Sequence, residues 1–191
     1  MIRLGILGST RGTHLQAIVD AIRNKELSAS IEIVISNKKD AGILSRAQDD
    51  HMTSTFIDPT GLSRAAYDEK VSACLNQHHV DLVVLIGYMR ILSDAFVATW
   101  QNKIINVHPS LLPAFAGMMD LDVHRAVINA KVRESGCTVH YVTAEVDAGP
   151  ILLQSKCDVL PNDTAESLKM RVQQLEGVAL VTAIRQIANS I

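Results

Sequence analysis

Five short apolar runs recur through the first half of this chain, at Ile2 to Leu7, Ile31 to Ile35, Thr55 to Ile57, Val80 to Ile86 and Ile104 to Val107, with helical periodicity between them. Leu15, Ile18, Val19 and Ile22 share one helical face; Ile43, Leu44 and Ala47 mark a second helix, and Tyr67, Val71, Cys74 and Leu75 a third. Ser93 is placed to cap a fourth. Strands joined through helices run parallel, and a parallel sheet must be covered on both faces. Beyond Pro109 the rhythm changes. A loop runs to Asp120, a helix is expected near Val123 to Ala130, and strands at Cys137 to Val142 and Ile151 to Val159. A long helix follows from about Ala165 to Ala188, its apolar row passing through Leu168, Val172, Leu175, Ala179 and Ile187. The expected fold is α/β: a mostly parallel twisted sheet with helices on both faces, Rossmann-like, closed by an antiparallel strand and a long final helix.

With 191 residues, 48% of them apolar, the chain has material for one substantial core, and a single domain over 1–191 is expected. Lys and Arg number 18 against 20 Asp and Glu, so no basic excess invites nucleic acid. No apolar stretch is long enough to span a bilayer, and the chain opens on a strand-like segment instead of a signal sequence. A cytoplasmic protein is expected. Cys74, Cys137 and Cys157 are odd in number, widely spaced and set in apolar surroundings, which fits reduced thiols and no zinc framework.

Chemistry concentrates in Asn106-Val107-His108-Pro109-Ser110-Leu111. On a strand, Asn106 and His108 point to one face and Val107 to the other. Pro109 biases His108 toward extended backbone and cannot donate to a ladder, so the strand should end there with its polar face at the sheet margin. An amide beside an imidazole offers donors to a developing oxyanion and one group that carries a proton. Asp147, in Val146-Asp147-Ala148-Gly149-Pro150, is either a solvated turn former or, if folding brings it to His108, the carboxylate that orients the ring. The turn Gly8-Ser9-Thr10-Arg11-Gly12-Thr13 stands between a strand and a helix, where free amides and the helix dipole favour an anion. Its spacing is neither GxGxxG nor GxxxxGK[ST], and the second strand ends at Ser36-Asn37 without an acidic residue, which argues against NAD and ATP. A tight βα turn with no ligand is the plain alternative.

Nearly the whole chain resembles the folate-dependent phosphoribosylglycinamide formyltransferase family. The likeness rests on Gly8 to Ile18, on Gly87-Tyr88-Met89-Arg90-Ile91-Leu92, on Asn106 to Pro113, and on Gly136-Cys137-Thr138-Val139-His140 leading to Asp147-Ala148-Gly149-Pro150. The resemblance implies a catalytic trio of Asn106, His108 and Asp147. It implies ribonucleotide binding by Gly12, Thr13, His14 and Glu176, and a folate site lined by Arg64, Met89, Arg90, Ile91, Leu92 and Asn106. The co-substrate would be 10-formyltetrahydrofolate, the acceptor glycinamide ribonucleotide, with no metal; a monomer or homodimer is expected. About 1–108 would form the nucleotide-binding half and 109–191 the folate-side, closing half. Three departures stand out: His14 where the family usually has Asn, a longer loop over Ala114 to Asp122, and Gly177 where a histidine is common. The alternatives are a 10-formyltetrahydrofolate hydrolase, a formyltransferase acting on initiator tRNA, or a non-catalytic nucleotide-binding module. The first usually bears an added N-terminal domain and the second a C-terminal RNA-binding one, and neither is expected here; the third leaves Asn106 and His108 without purpose.

Overall fold

A computed structural model describes residues 1–190. Seven strands form one sheet in the order β3-β2-β1-β4-β5-β6-β7: β1 (Ile2–Leu7), β2 (Ala29–Ser36), β3 (Ser54–Phe56), β4 (Leu82–Leu85), β5 (Ile104–His108), β6 (Glu134–Tyr141) and β7 (Ile151–Asp158). The first five are mutually parallel, as the alternation predicts. β6 runs against both β5 and β7, so it is the one reversed strand in the sheet. The helices are α1 (Leu15–Arg23), α2 (Gly42–Asp49), α3 (Arg64–Gln77), α4 (Asp94–Thr99), α5 (Leu121–Asn129) and α6 (Ala165–Ala188).

Alternate residues of the central strands feed two cores. Leu4, Ile6, Val84, Ile105 and Val107 pack with α1, α2, α5 and α6 on one face, while Leu7, Val83, Leu85 and Ile104 meet Tyr67, Val71, Phe96 and Trp100 of the α3–α4 face. Each such side chain, once fully buried, contributes about 1.5–3 kcal/mol, which is why these strands read as continuous apolar runs. The apolar row of α6 departs from expectation. Leu168 and Val172 are buried, but Leu175 and Ile187 are only partly so, and Glu176 takes the next core-facing place. Gly177 is a packing residue: a Cβ there would stand 2.9 Å from Ala17 Cβ, so the bulkier residue common at this position would force α6 off α1.

Ser63 and Ser93 cap α3 and α4, their hydroxyls accepting from the backbone N–H of Ala66 and Phe96. Both halves of the chain contribute to the one sheet. The chain path reverses at β1: α1 leads outward to β2, whereas β4 lies on the other side of β1. The loops after β1 and β4 therefore diverge at their C-terminal ends, which opens a crevice of the kind where α/β proteins bind ligands.

Candidate active site

Three loops meet at that crevice through Ser9. Its hydroxyl donates to Asn37 Oδ1 at 2.6 Å and accepts the Met89 N–H at 2.8 Å, joining the turns after β1, β2 and β4. Neither Ser9 nor Asn37 stands out in the sequence, because their partners lie 28 and 80 residues away. Gly12 at φ +64 allows the turn to lie on α2: a Cβ there would sit 2.4 Å from Ile43 Cγ1. Among the described residues, the N–H groups of Gly12, Thr13 and His14 find no acceptor in the chain, so this turn presents free donors at the head of α1.

The cleft is about 1100 Å³ in volume and holds Thr13, His14, Met89 to Leu92, Asn106, His108, Asp147 and Glu176 in one lining. Its size lies at the upper end of the range of small-molecule sites. Both halves of the sequence line it, and Glu176 of the second half faces the turn of the first. Two of the expected residues are absent from this lining: Gly12, which lies between Arg11 and Thr13 and packs against Ile43, and Arg64. Arg64 is exposed in the first turn of α3, outside this lining, because β3 is the outer strand of the sheet and carries the β3–α3 loop away from the crevice.

Asn106 and His108 lie on one face of β5, as their spacing predicts, and the strand stops at His108. His108 is buried. Its Nδ1 is 3.2 Å from Asp147 Oδ2, and its Nε2 donates to the Phe115 carbonyl at 3.1 Å. Asp147 has φ 54 and accepts the Gly117 N–H at 2.8 Å, so the carboxylate also anchors the long loop after Pro113. The Gly149-Pro150 sequence locks this turn: a Cβ on Gly149 would fall 1.8 Å from the Tyr141 carbonyl oxygen. His140, which the sequence presents only as the last residue of the Gly136-Cys137-Thr138-Val139-His140 run, joins the group. Asn106 Nδ2 donates to its Nε2 at 3.3 Å, and Asp147 Oδ1 lies 3.6 Å from the same nitrogen.

At the other end of the cleft, His14 Nε2 is 2.9 Å from Glu176 Oε2, yet makes no hydrogen bond to it. His124 of α5 is buried beside them with Nδ1 unpartnered. Burial pushes the His124 pKa down, with Glu176 opposing and Lys169 reinforcing the shift. Lys169 pairs with Asp120, tying the end of the long loop to α6. On the opposite wall Arg90 stacks on the Tyr67 ring, Cζ 4.3 Å from the centroid, while Met89 and Ile91 expose apolar surface. Cys137 is buried and its thiol pushed up to about 12 by desolvation, so it is inert filler. No described helix is long and apolar enough to cross a membrane. Among the described residues no group of three or more His, Cys, Asp or Glu side chains could hold a metal ion.

Residues 2–184 match the formyl transferase family. The chain is 40% identical over 172 residues to the phosphoribosylglycinamide formyltransferase of Escherichia coli (strain K12), covering 90% of this chain and 80% of that protein. It is 39% identical over 189 residues to the trifunctional purine biosynthetic protein adenosine-3 of Gallus gallus; this covers 98% of the chain but only 18% of the relative's length. The crystal structure of glycinamide ribonucleotide transformylase 1 from Symbiobacterium toebii superposes with a TM-score of 0.95 at 41% identity, over 100% of this chain and 89% of that one. With the family match spanning nearly every residue and the Asn106, His108 and Asp147 side chains gathered in one cleft, the chain belongs to the formyl transferase family.

Proposed function

We propose that this chain transfers the formyl group of 10-formyltetrahydrofolate to the amine of glycinamide ribonucleotide, a step of purine biosynthesis. The observation that carries the reading is the approach of Asp147 to within 3.2 Å of His108, beside Asn106, across 39 residues of sequence. The folate, when bound, supplies the formyl carbon, and its N10 takes up the proton that the acceptor amine gives up. Asn106 Nδ2 and His108 Nε2 donate hydrogen bonds to the formyl oxygen as it gains charge, each worth roughly 3 kcal/mol in the transition state. Both ring nitrogens of His108 face oxygens, which a doubly protonated imidazole satisfies. The Phe115 carbonyl stands where an acceptor must stand, so the formyl oxygen replaces it on Nε2. Asp147 balances the charge on the ring and moves the amine proton through water.

Free amides at Gly12, Thr13 and His14 support ribonucleotide phosphate binding at the head of α1, and the buried Glu176 carboxylate supports acceptance from ribose hydroxyls. Met89 and Ile91 give apolar wall to a flat ring system, with Arg90 offering charge to an acidic tail. Formyl transfer from 10-formyltetrahydrofolate to glycinamide ribonucleotide, run beside a control lacking the ribonucleotide, tests the reading. Formylglycinamide ribonucleotide should form and the control should stay slow. Release of formate at equal rate in the control would instead make the chain a hydrolase.

A further inference from the structure

The proposed chemistry leaves His140 without a part, although it is only 2% exposed and lies in the catalytic group. It stands directly across the β5–β6 ladder from Asn106, and the pairing of β6 with β7 slips between Val139 and His140. Such an irregularity re-aims a side chain. His140 Nδ1 lies 2.9 Å from the Tyr141 carbonyl oxygen. A carbonyl only accepts, so Nδ1 carries the hydrogen, and in the neutral ring Nε2 is left with a lone pair. Burial favours the neutral ring, lowering the His140 pKa. A lone pair at Nε2 accepts only the nitrogen end of the Asn106 amide; a flipped amide would set oxygen against it. Asp147 Oδ1, at 3.6 Å, is beyond hydrogen-bond reach of that nitrogen, so a neutral His140 leaves the carboxylate to His108.

We propose that His140 is a positioning residue: as the neutral Nδ1–H tautomer it binds one amide hydrogen of Asn106 and thereby fixes that side chain with its second hydrogen available to the reacting formyl oxygen. This rests on the formyl-transfer reading and deepens it. The test is a double-mutant cycle on transfer kinetics with His140→Leu, His140→Gln, Asn106→Ala and the Asn106→Ala/His140→Leu pair. His140→Leu should lose about tenfold or more in kcat with the ribonucleotide KM little changed. His140→Gln, which brings an acceptor oxygen to a similar reach, should restore most of that loss. In the Asn106→Ala background, removing His140 should cost nothing further; additive losses would show independent roles and overturn the proposal. Nitrogen NMR of the wild-type imidazole needs no variant to fold: a bare Nε2 is expected, and an Nε2–H tautomer would overturn the assignment outright. Wild-type turnover in Asn106→Ala would sink the donor reading and this proposal with it. A loss in Asn106→Ala alongside unchanged His140→Leu would sink the proposal alone.

Discussion

Asp147 does two things at once, and single substitutions separate them. Its carboxylate faces His108 and also holds the Gly117 N–H. Asp147→Asn keeps an oxygen for Gly117 but removes the charge, so turnover should fall by roughly a hundredfold with the loop still anchored. Asp147→Ala should lose turnover and also speed amide exchange at Gly117; unchanged exchange would remove the anchoring role. Asn106→Ala and His108→Ala should each lose roughly a hundredfold or more in kcat, with the ribonucleotide KM nearly constant, because their donors act mainly as charge develops. Near-normal turnover in either would end the oxyanion assignment. Gly12 behaves differently from what its place in a phosphate turn suggests. A side chain there meets Ile43 before any ligand, at a backbone angle that L residues rarely hold. Gly12→Ala should therefore lower stability by about 1–3 kcal/mol in a urea titration. Residue spacing alone foretold that Asn106 and His108 share a face. It could not foretell His140, whose partnership depends on the register of a reversed strand.

At the scale of elements, α6 carries both the rear core and one wall of the cleft. Its start is held by a capping box between Thr164 and Ser167 and by Asp163, which accepts two hydrogen bonds from Arg171 at 2.7 and 2.8 Å. Arg171 holds the Asp163 carboxyl well below the usual carboxylate range. A carboxyl depressed in the folded state stabilises above its unfolded pKa of about 3.9, and the contribution disappears as pH falls below that value toward the folded one. Asp163→Asn should lower Tm at neutral pH and shrink the Tm difference from wild type as pH drops below about 4. An equal difference at pH 7 and at strongly acid pH would contradict the ion-pair account. The bounds of α6 were legible from its periodicity. Its facing was only partly so, since Glu176 occupies a core position that hydropathy assigns to an apolar residue.

Across the whole molecule, two buried histidines link stability to pH. Burial lowers the pKa of both His124 and His140. The unfolded chain then binds more protons than the folded one just below the ordinary histidine value of about 6.5, so stability is complete above that pH and declines as pH falls through it. Urea midpoints should fall as pH drops from about 7 to 5, and His124→Gln with His140→Gln should flatten the slope; an unaltered slope would assign it to other groups. The sequence by itself determined the βα alternation, the parallel strands and the long last helix, because periodicity and capping act over a few residues. It also determined that Asn106 and His108 point together. Only the tertiary structure decided that β1 and β4 part to open the cleft, that Asp147 reaches His108, that Glu176 faces His14 and that Arg64 lies outside. Those outcomes depend on strand order and on close approaches between segments tens of residues apart, and local side-chain pattern carries no signal of either.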